Sequence, residues 1–477
     1  MDEEGDCLMA GIFFSVGEEK KRAGVYQRYE KVSSPVYVGA SDGIVALIMN
    51  GTWGPLNTVQ AVENVDQAKK LYGTGGSANL IEEILAGGAV KVLVSRIGAD
   101  GTCGTATMQS ADAATVVKLT GKYPGTRKID YTFKQSIDDS AYYNFVLTED
   151  GAVIEKFTVS GDMTAEKFAE KINADSAFVT VEATGTGAIS GLSDAVTGSI
   201  AGTNPMVTTA NYSNGLTAVE PCKWNTLCVD SNSVDVHALV SAYMTRIYQD
   251  GKMGIAVLGE PISVVFATRL EHAAAFNDYK VAYIGGGWYD SNDVLKDGYV
   301  AAARMAGVIA STPSNTSITH KVVGGAVRPA EMLTNLQYES CIDNGMIMFS
   351  QSPAGTVWIE SGINTLVSPT GNDDAGWKKI KRTKVRFELM DRVNDSVDPL
   401  IGTINNDADG RAVVIQTAQG VVNKMMAEAK LAAGSLVEED PANEPTPDSA
   451  WFVITAYDID TLEKIYFTYK YSFATSA

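Results

Sequence analysis

The 477-residue chain has no run of eighteen apolar residues, the length a helical membrane span requires. Its first residues, MDEEGD, are acidic where a secretory signal is basic, so the expectation is a soluble protein made in a cytoplasm, without direct membrane insertion. Met9 is an alternative start to Met1. Positive charge is scarce: 38 Lys and Arg stand against 57 Asp and Glu, a net charge of −19. A nucleic-acid partner needs a basic face to neutralise phosphates, so this balance argues against one. It suits a soluble subunit that must not associate prematurely. Histidine is rarer still. His237, His272 and His320 show no metal-ligand spacing, and each is expected on a helix or loop surface, with no metal or cofactor implied. The five cysteines, Cys7, Cys103, Cys222, Cys228 and Cys341, are odd in number and contain no C-x-x-C, which favours reduced, mostly buried thiols.

Hydrophobic content of 45% with 20% charged residues is globular composition. The length exceeds one core and suggests roughly three domains. Gly11 to Val16 (GIFFSV) is an isolated apolar run that pairs either within its own subunit or with another chain. Ile44 to Met49 and Val90 to Ile97 read as strands, with helical spacing between them at Val65, Ala68, Leu71 and at Leu80, Ile81, Ile84. The string Gly73-Thr-Gly-Gly-Ser-Ala78 fits G-x-G-x-x-A, but the segment before it is helical, so it reads as a helix-to-helix turn and not as a dinucleotide site. Residues 106–215 become rich in Gly, Ser, Thr and Ala around alternating strands (Ile129, Tyr131, Phe133; Tyr143, Phe145, Leu147), with a hairpin turn at Asp150-Gly151 and a Thr164 helix cap. This predicts an inserted β-rich domain. Residues 216–355 alternate strand and helix: Thr226–Val229, a helix over Val234–Gln249, Ile255–Leu258, a helix around Val264–Ala275, Val281–Ile284, and a helix from Tyr299 to Ile309. That pattern is a layered α/β domain. After a Pro- and acid-rich linker, Trp451–Ile454 and Lys464–Phe473 read as strands. In the last, Ile465, Phe467, Tyr469, Tyr471 and Phe473 share one face.

The most informative stretch runs from Thr356 to Leu431. It holds a basic segment, Lys378, Lys379, Lys381, Arg382, Lys384 and Arg386, then an Asp/Asn-rich turn that launches a helix. Asp409 is the expected N-cap, a small and apolar stripe follows at Ala418, Val421, Met425 and Ala429, and Gly434 is the expected C′ residue. Asn405, Asp407, Asp409 and Gly410 match the first positions of a calcium loop, but position 12 is Gln416 in place of a bidentate Glu, so the segment reads as a capped turn.

The ordered motifs Glu360-Ser361-x-Ile363-Asn364-Thr365 and Ile401-Gly402-x-Ile404-Asn405-Asn406-x-Ala408-Asp409-Gly410-Arg411 resemble the C-terminal half of contractile tail sheath proteins of phages and R-type bacteriocins. Ala23-Gly24-Val25-Tyr26 resembles the opening of the same subunits, and Tyr123-Pro124-Gly125-Thr126 resembles the start of their variable outer domain, although the usual Gly-Asn after it is absent. The resemblance is strong over 356–431, weaker over 22–100 and 122–127, and diffuse elsewhere.

It implies an α/β and α+β multidomain fold: an N-terminal arm (1–30), a first part of the sheath core (31–105), the inserted β-rich outer domain (106–215), an α/β middle domain (216–355), and a C-terminal inner domain with a terminal β arm (356–477). It further implies hexameric rings stacked around a tail tube, with the tube protein, baseplate and tail terminator as partners, in a virion tail or bacteriocin particle. Gly11, Ile12, Phe13, Phe14, Ser15 and Val16, with Ile465, Phe467, Tyr469, Tyr471 and Phe473, become inter-subunit arms that add strands to neighbours. Lys424 and Lys430, on a helix Arg411–Leu431, either face acidic groups of the tube or are simply solvated.

A competing α/β enzyme lacks chemistry in the sequence: G-x-S-x-G, Walker A and H-E-x-x-H are all absent, and Cys222, Cys228 and His237 form no recognisable nucleophile–base motif. The missing signal peptide counts against a surface adhesin. The expectation is therefore a structural, non-enzymatic protein.

Overall fold

Segments that are apolar on both faces read as central strands of a covered parallel sheet, and this chain supplies a series of them. The computed structural model describes residues 43–111, 115–185, 187–192, 196–371 and 373–472. Gly11–Val16, Ala23–Tyr26, Cys7 and Phe473 lie outside the described residues. From β1 (Ile44–Met49) the chain passes β2 (Val59–Val62), α1 (Val65–Tyr72) and α2 (Asn79–Ala86) to β3 (Lys91–Arg96). Asn64 Oδ1 caps α1 by accepting from Gln67 N at 2.9 Å. Between α1 and α2, Gly73, Gly75 and Gly76 take positive φ, so the glycine string is a turn between helices.

The next stretch builds β4 (Thr105–Gln109), β5 (Val116–Gly121), β6 (Ile129–Gln135), β7 (Tyr142–Glu149), β8 (Ala152–Ser160), α3 (Ala165–Asp175), β9 (Val179–Thr184) and β10 (Val196–Ile200). They form two antiparallel sheets, β4-β5-β9 and β10-β6-β7-β8. Asp150 and Gly151 both have positive φ, as a two-residue hairpin loop requires. Thr164 Oγ1 caps α3 by accepting from Lys167 N. Phe168 of α3 meets Phe133 and Phe145 edge-to-face, with centroids 5.9 and 5.6 Å away, in a core of its own.

The chain then runs through α4 (Thr209–Val219), β11 (Thr226–Val229), α5 (Val234–Gln249), β12 (Ile255–Gly259), α6 (Phe266–Phe276), β13 (Val281–Ile284), β14 (Trp288–Asp290), β15 (Leu295–Lys296), α7 (Gly298–Ser311), β16 (Ala326–Pro329), α8 (Asn335–Asp343), β17 (Met346–Ile347), β18 (Phe349–Gln351) and β19 (Val357–Ile359). The main sheet has the order β17-β13-β12-β11-β1-β3-β2, parallel except for β2. Along β1, Val45, Leu47 and Met49 enter the core shared with α2 and α7, while Ala46 and Ile48 enter the one shared with α4 and α5. α7 is apolar nearly all round and correspondingly buried. It lies so close to α2 that a Cβ on Gly307 would overlap the Ile84 carbonyl.

The C-terminal part consists of α9 (Ile380–Val397), α10 (Ala408–Ala427) and the antiparallel pair β20 (Leu436–Glu439) and β21 (Phe452–Thr455). Two expectations are corrected here. The N-cap of α10 is Asp407, whose Oδ1 accepts from Gly410 N at 2.8 Å; Asp409 already lies in the first turn. The helix ends four residues before Leu431, and the left-handed C′ residue is Ala429 (φ 55°), after which Lys430 N donates to Met425 O at 3.0 Å. Gly434 serves the turn before β20. Of the histidines, His320 is exposed and His272 half-buried on α6, whereas His237 departs from the expected surface position. His237 is 1% exposed, and its Nε2 lies 2.8 Å from Ser231 O.

Candidate functional site

The motif residues act first as joints. Asn364 and Thr365 are fully buried. Asn364 Nδ2 donates to Trp377 O at 2.6 Å, and Thr365 Oγ1 donates to Asp278 O at 2.8 Å. These bonds fasten the loop before β13 to the segment that opens α9. In the second motif Asn406 Nδ2 donates to Thr446 O (2.6 Å) and Ser449 O (3.1 Å), and Arg411 pairs with Glu439 at 3.1 Å. The start of α10 is thereby tied to the β20–β21 loop. Gly410 is required there because a Cβ would overlap the Asn405 carbonyl.

The basic segment of the sequence spans the start of α9, with Lys378 and Lys379 just before it, and four of its cations, Lys379, Lys381, Arg382 and Arg386, close on the strap that follows β21. Lys379 Nζ pairs with Asp460 (2.8 Å) and Glu463 (2.9 Å). Arg382 holds both oxygens of Asp458 at 2.7 and 2.9 Å, and Arg386 reaches Asp458 at 3.2 Å and Asp374 at 2.9 Å. Lys381 Nζ donates to Ile459 O at 2.6 Å, while Ser317 and Thr319 hydroxyls donate to Glu463. Burial would raise the carboxyls of Asp458, Asp460 and Glu463, but the hydrogen bonds and charges of these partners outweigh it and hold all three below the usual range. Such charge-assisted, bidentate contacts fix geometry as well as add attraction.

Beyond this clamp the chain turns aromatic and leaves the body. Phe467, Tyr469 and Tyr471 are 75%, 72% and 92% exposed. Phe467 and Tyr469 rings lie 6.4 Å apart, as do those of Tyr469 and Tyr471, so the alternate side chains form one row, the single face read from the sequence. Residues 464–472 pair with no strand among the described residues, and the β20–β21 sheet has only two strands among them. A row of exposed rings and a two-stranded sheet with open edges thus occur in one chain. The clamp acids Asp458, Asp460 and Glu463 were not singled out in the sequence, although a lysine-free, arginine-free stretch from Leu431 to Glu463 facing a basic run was a usable signal.

Of the two lysines expected to face a tube, Lys424 is exposed on α10. Lys430 is corrected: it is 7% exposed, and its ammonium pairs with Glu388 (2.7 Å) and Glu428 (2.8 Å) of its own chain. A buried cation so neutralised is a structural partner.

Where an α/β sheet binds ligands is the crevice at the carboxyl ends of its strands, at the point where strand order reverses. Here that point lies between β1 and β11, and protein groups fill it. Asp230 accepts from Asn50 N (2.7 Å), Ser77 Oγ (2.6 Å) and Tyr212 OH (2.7 Å), while Arg96 donates to Gly51 and Gly54 carbonyls. A second opening of about 400 Å³ lies between α5 and α6. Its polar groups are engaged below it: Glu260 accepts from Tyr283 OH at 3.0 Å and lies 3.0 Å from His272 Nδ1. Cys228, at the sheet's centre, has its thiol pushed far up by burial, which suppresses the thiolate a nucleophile needs.

The layered α/β core with its β-rich insertion is a fold that this chain shares with solved sheath tail proteins. Residues 206–365 match the family described as phage tail sheath protein central domain. The phage-like element PBSX protein XkdK of Bacillus subtilis is 24% identical over 497 aligned positions, covering 96% of this chain and 99% of that one. Among solved structures, the sheath tail protein of Desulfitobacterium hafniense superposes with a TM-score of 0.70 at 22% identity, over 91% of this chain and 100% of that one. The helical sheath of the anti-feeding prophage in its contracted state superposes with a TM-score of 0.54 at 9% identity, over 94% and 99%.

Proposed function

We propose that this chain is the subunit of a contractile tail sheath, polymerising as stacked hexameric rings around a tail tube, and that contraction of the stack drives the tube through a target cell envelope. The observation that carries the reading is the pairing of an exposed aromatic arm with an incomplete two-stranded sheet in the same molecule. An open strand edge is satisfied by a strand from another chain, and a head-to-tail exchange of this kind propagates without closing. Main-chain pairing holds while outer surfaces repack, which is what a sheath that shortens without falling apart requires. The arms are residues Gly11–Val16 and Ile465–Phe473. The partners are further copies of the chain, the tube protein, baseplate and tail terminator, in a virion tail or bacteriocin particle, and no catalytic step is involved. Lys424 is the remaining candidate for a contact with acidic tube groups.

The test is truncation. Removing Met1–Val16, or ending the chain before Ile465, leaves thermal unfolding of the body unchanged and abolishes tubes in negative-stain electron microscopy. Normal tubes from either truncated chain contradict the arm assignment.

A further inference from the structure

The opening between α5 and α6 has no share in the joints or the clamp. Both helices cover the same face of the main sheet, where Val236, Val240 and Ala273 enter one core. Ala238 and Ala242 of α5 and Ala275 of α6 line the gap with side chains too short to fill it, and about 400 Å³ stays open above Tyr283 of β13. That lies within the range of small-ligand pockets, roughly 300–1,000 Å³. We propose that this opening is a binding site for a small organic cation of the alkylammonium class, held by a set of rings and by the carboxylate beneath them. The proposal does not depend on the exchange of arms.

Rings are the first observation. His237 of α5, His272 and Phe276 of α6, and Tyr283 all line the opening. His237 and Tyr283 meet edge-to-face with ring centroids 6.0 Å apart, and the Phe276 ring lies 5.5 Å from that of Tyr283. An aromatic face is the negative end of the ring's quadrupole, so it attracts a cation within about 6 Å of the centroid, and several rings around one quaternary ammonium add their attractions. His237 contributes in this way only as a neutral imidazole. Burial holds it below its usual range and therefore neutral, while its Nε2 donates to Ser231 O at 2.8 Å and leaves Nδ1 as an acceptor.

Charge is the second. Glu260 is 3% exposed, accepts from Tyr283 OH at 3.0 Å and lies 3.0 and 3.1 Å from His272 Nδ1. A phenol that donates to a carboxylate also gains electron density in its ring, which strengthens the cation's attraction to Tyr283. The Arg269 guanidinium, whose charge is felt at Tyr283, is already neutralised by Glu331 at 2.7 and 2.8 Å. Among the described residues no Lys or Arg lines the opening, and the exposed acids Asp235 and Glu271 are next in sequence to Val234 and His272 of its lining. An anion finds no cation here to receive it, whereas a cation finds the potential already in its favour.

The test is isothermal titration calorimetry of the full chain at pH 8, which favours neutral imidazoles. The probes are choline and dimethylbutanol, its neutral isostere with carbon in place of the charged nitrogen. Choline binds saturably and roughly tenfold more tightly than the alcohol. Phe276→Leu removes one ring and keeps an apolar wall, so choline affinity falls about threefold to tenfold while that of the alcohol is unchanged. Ala242→Trp fills the opening from an exposed helix position: choline binding is lost, and the unliganded chain unfolds at the wild-type temperature. No saturable choline binding, or equal affinity for the alcohol, overturns the proposal. Wild-type choline affinity in Ala242→Trp overturns it too, because the cation then binds elsewhere.

Discussion

The antiparallel unit of residues 105–200 and the C-terminal hairpin are both small β structures, but they complete themselves differently. The first pairs seven strands into two sheets and closes its core with α3, where Phe133, Phe145 and Phe168 pack ring on ring. The second has two strands and a core of a few residues against α9 and α10, and an isolated pair of strands is marginal in water. The first sheet system is complete within the chain; the second has two strands among the described residues, and on the proposed function a neighbouring copy finishes it.

The comparison can be broken at either end. The largest effect belongs to the closed unit: Phe145→Ala deletes a fully buried ring and costs about 3–5 kcal/mol of its stability. Denaturation followed by near-ultraviolet signals shows an early transition in this unit. Tube formation below that transition persists, because the arm and hairpin are untouched.

A smaller effect is expected at the clamp. Arg382→Ala removes the two shortest bonds to Asp458 and leaves Arg386, costing about 1–2 kcal/mol of local anchoring. Hydrogen exchange at residues 456–463 then quickens roughly tenfold, as that free energy implies, with β1 and β3 unchanged. Acid acts in the same direction. Asp458, Asp460 and Glu463 are depressed in the folded chain, so their contribution is complete above the unfolded pKa of about 4 and is lost as pH falls through the lower folded values.

The smallest effect sharpens the picture away from the arm. Burial, and then the charge of Asp395, push Asp391 up to about 6. A carboxyl raised on folding supports the fold below its unfolded pKa of about 4, and that support is lost as pH rises through about 6. Asp391→Asn therefore raises the melting temperature at pH 7.5 and leaves it nearly unchanged at pH 4.

Much of this was legible in the residues. Ile44–Met49, Thr226–Val229 and Val281–Ile284 are largely apolar runs of strand length, and the structure has strands at those bounds. Val234–Gln249 carries the 3.6-residue period of a helix and is one. The cap of α10 was misplaced by two residues because Asp407 and Asp409 are equally good capping side chains, and only the path of the chain decides between them. Lys430 and His237 were read as surface groups because composition carries no information on tertiary partners such as Glu388 or the Ser231 carbonyl. The clamp escaped for the same reason: its cations and acids are separated by more than seventy residues. The alternating aromatic residues after Lys464 were visible too, but the strand read there is not formed: residues 464–472 pair with no strand among the described residues, because nothing in the described chain offers them an edge.

The most direct measurement is a cryo-electron microscopy map of the assembled polymer, resolved well enough to trace residues 456–472. The expected path leaves the clamp at Glu463 and crosses to the next subunit, whose open two-stranded sheet the arm extends. An arm folded onto its own hairpin, or free in the polymer, contradicts it.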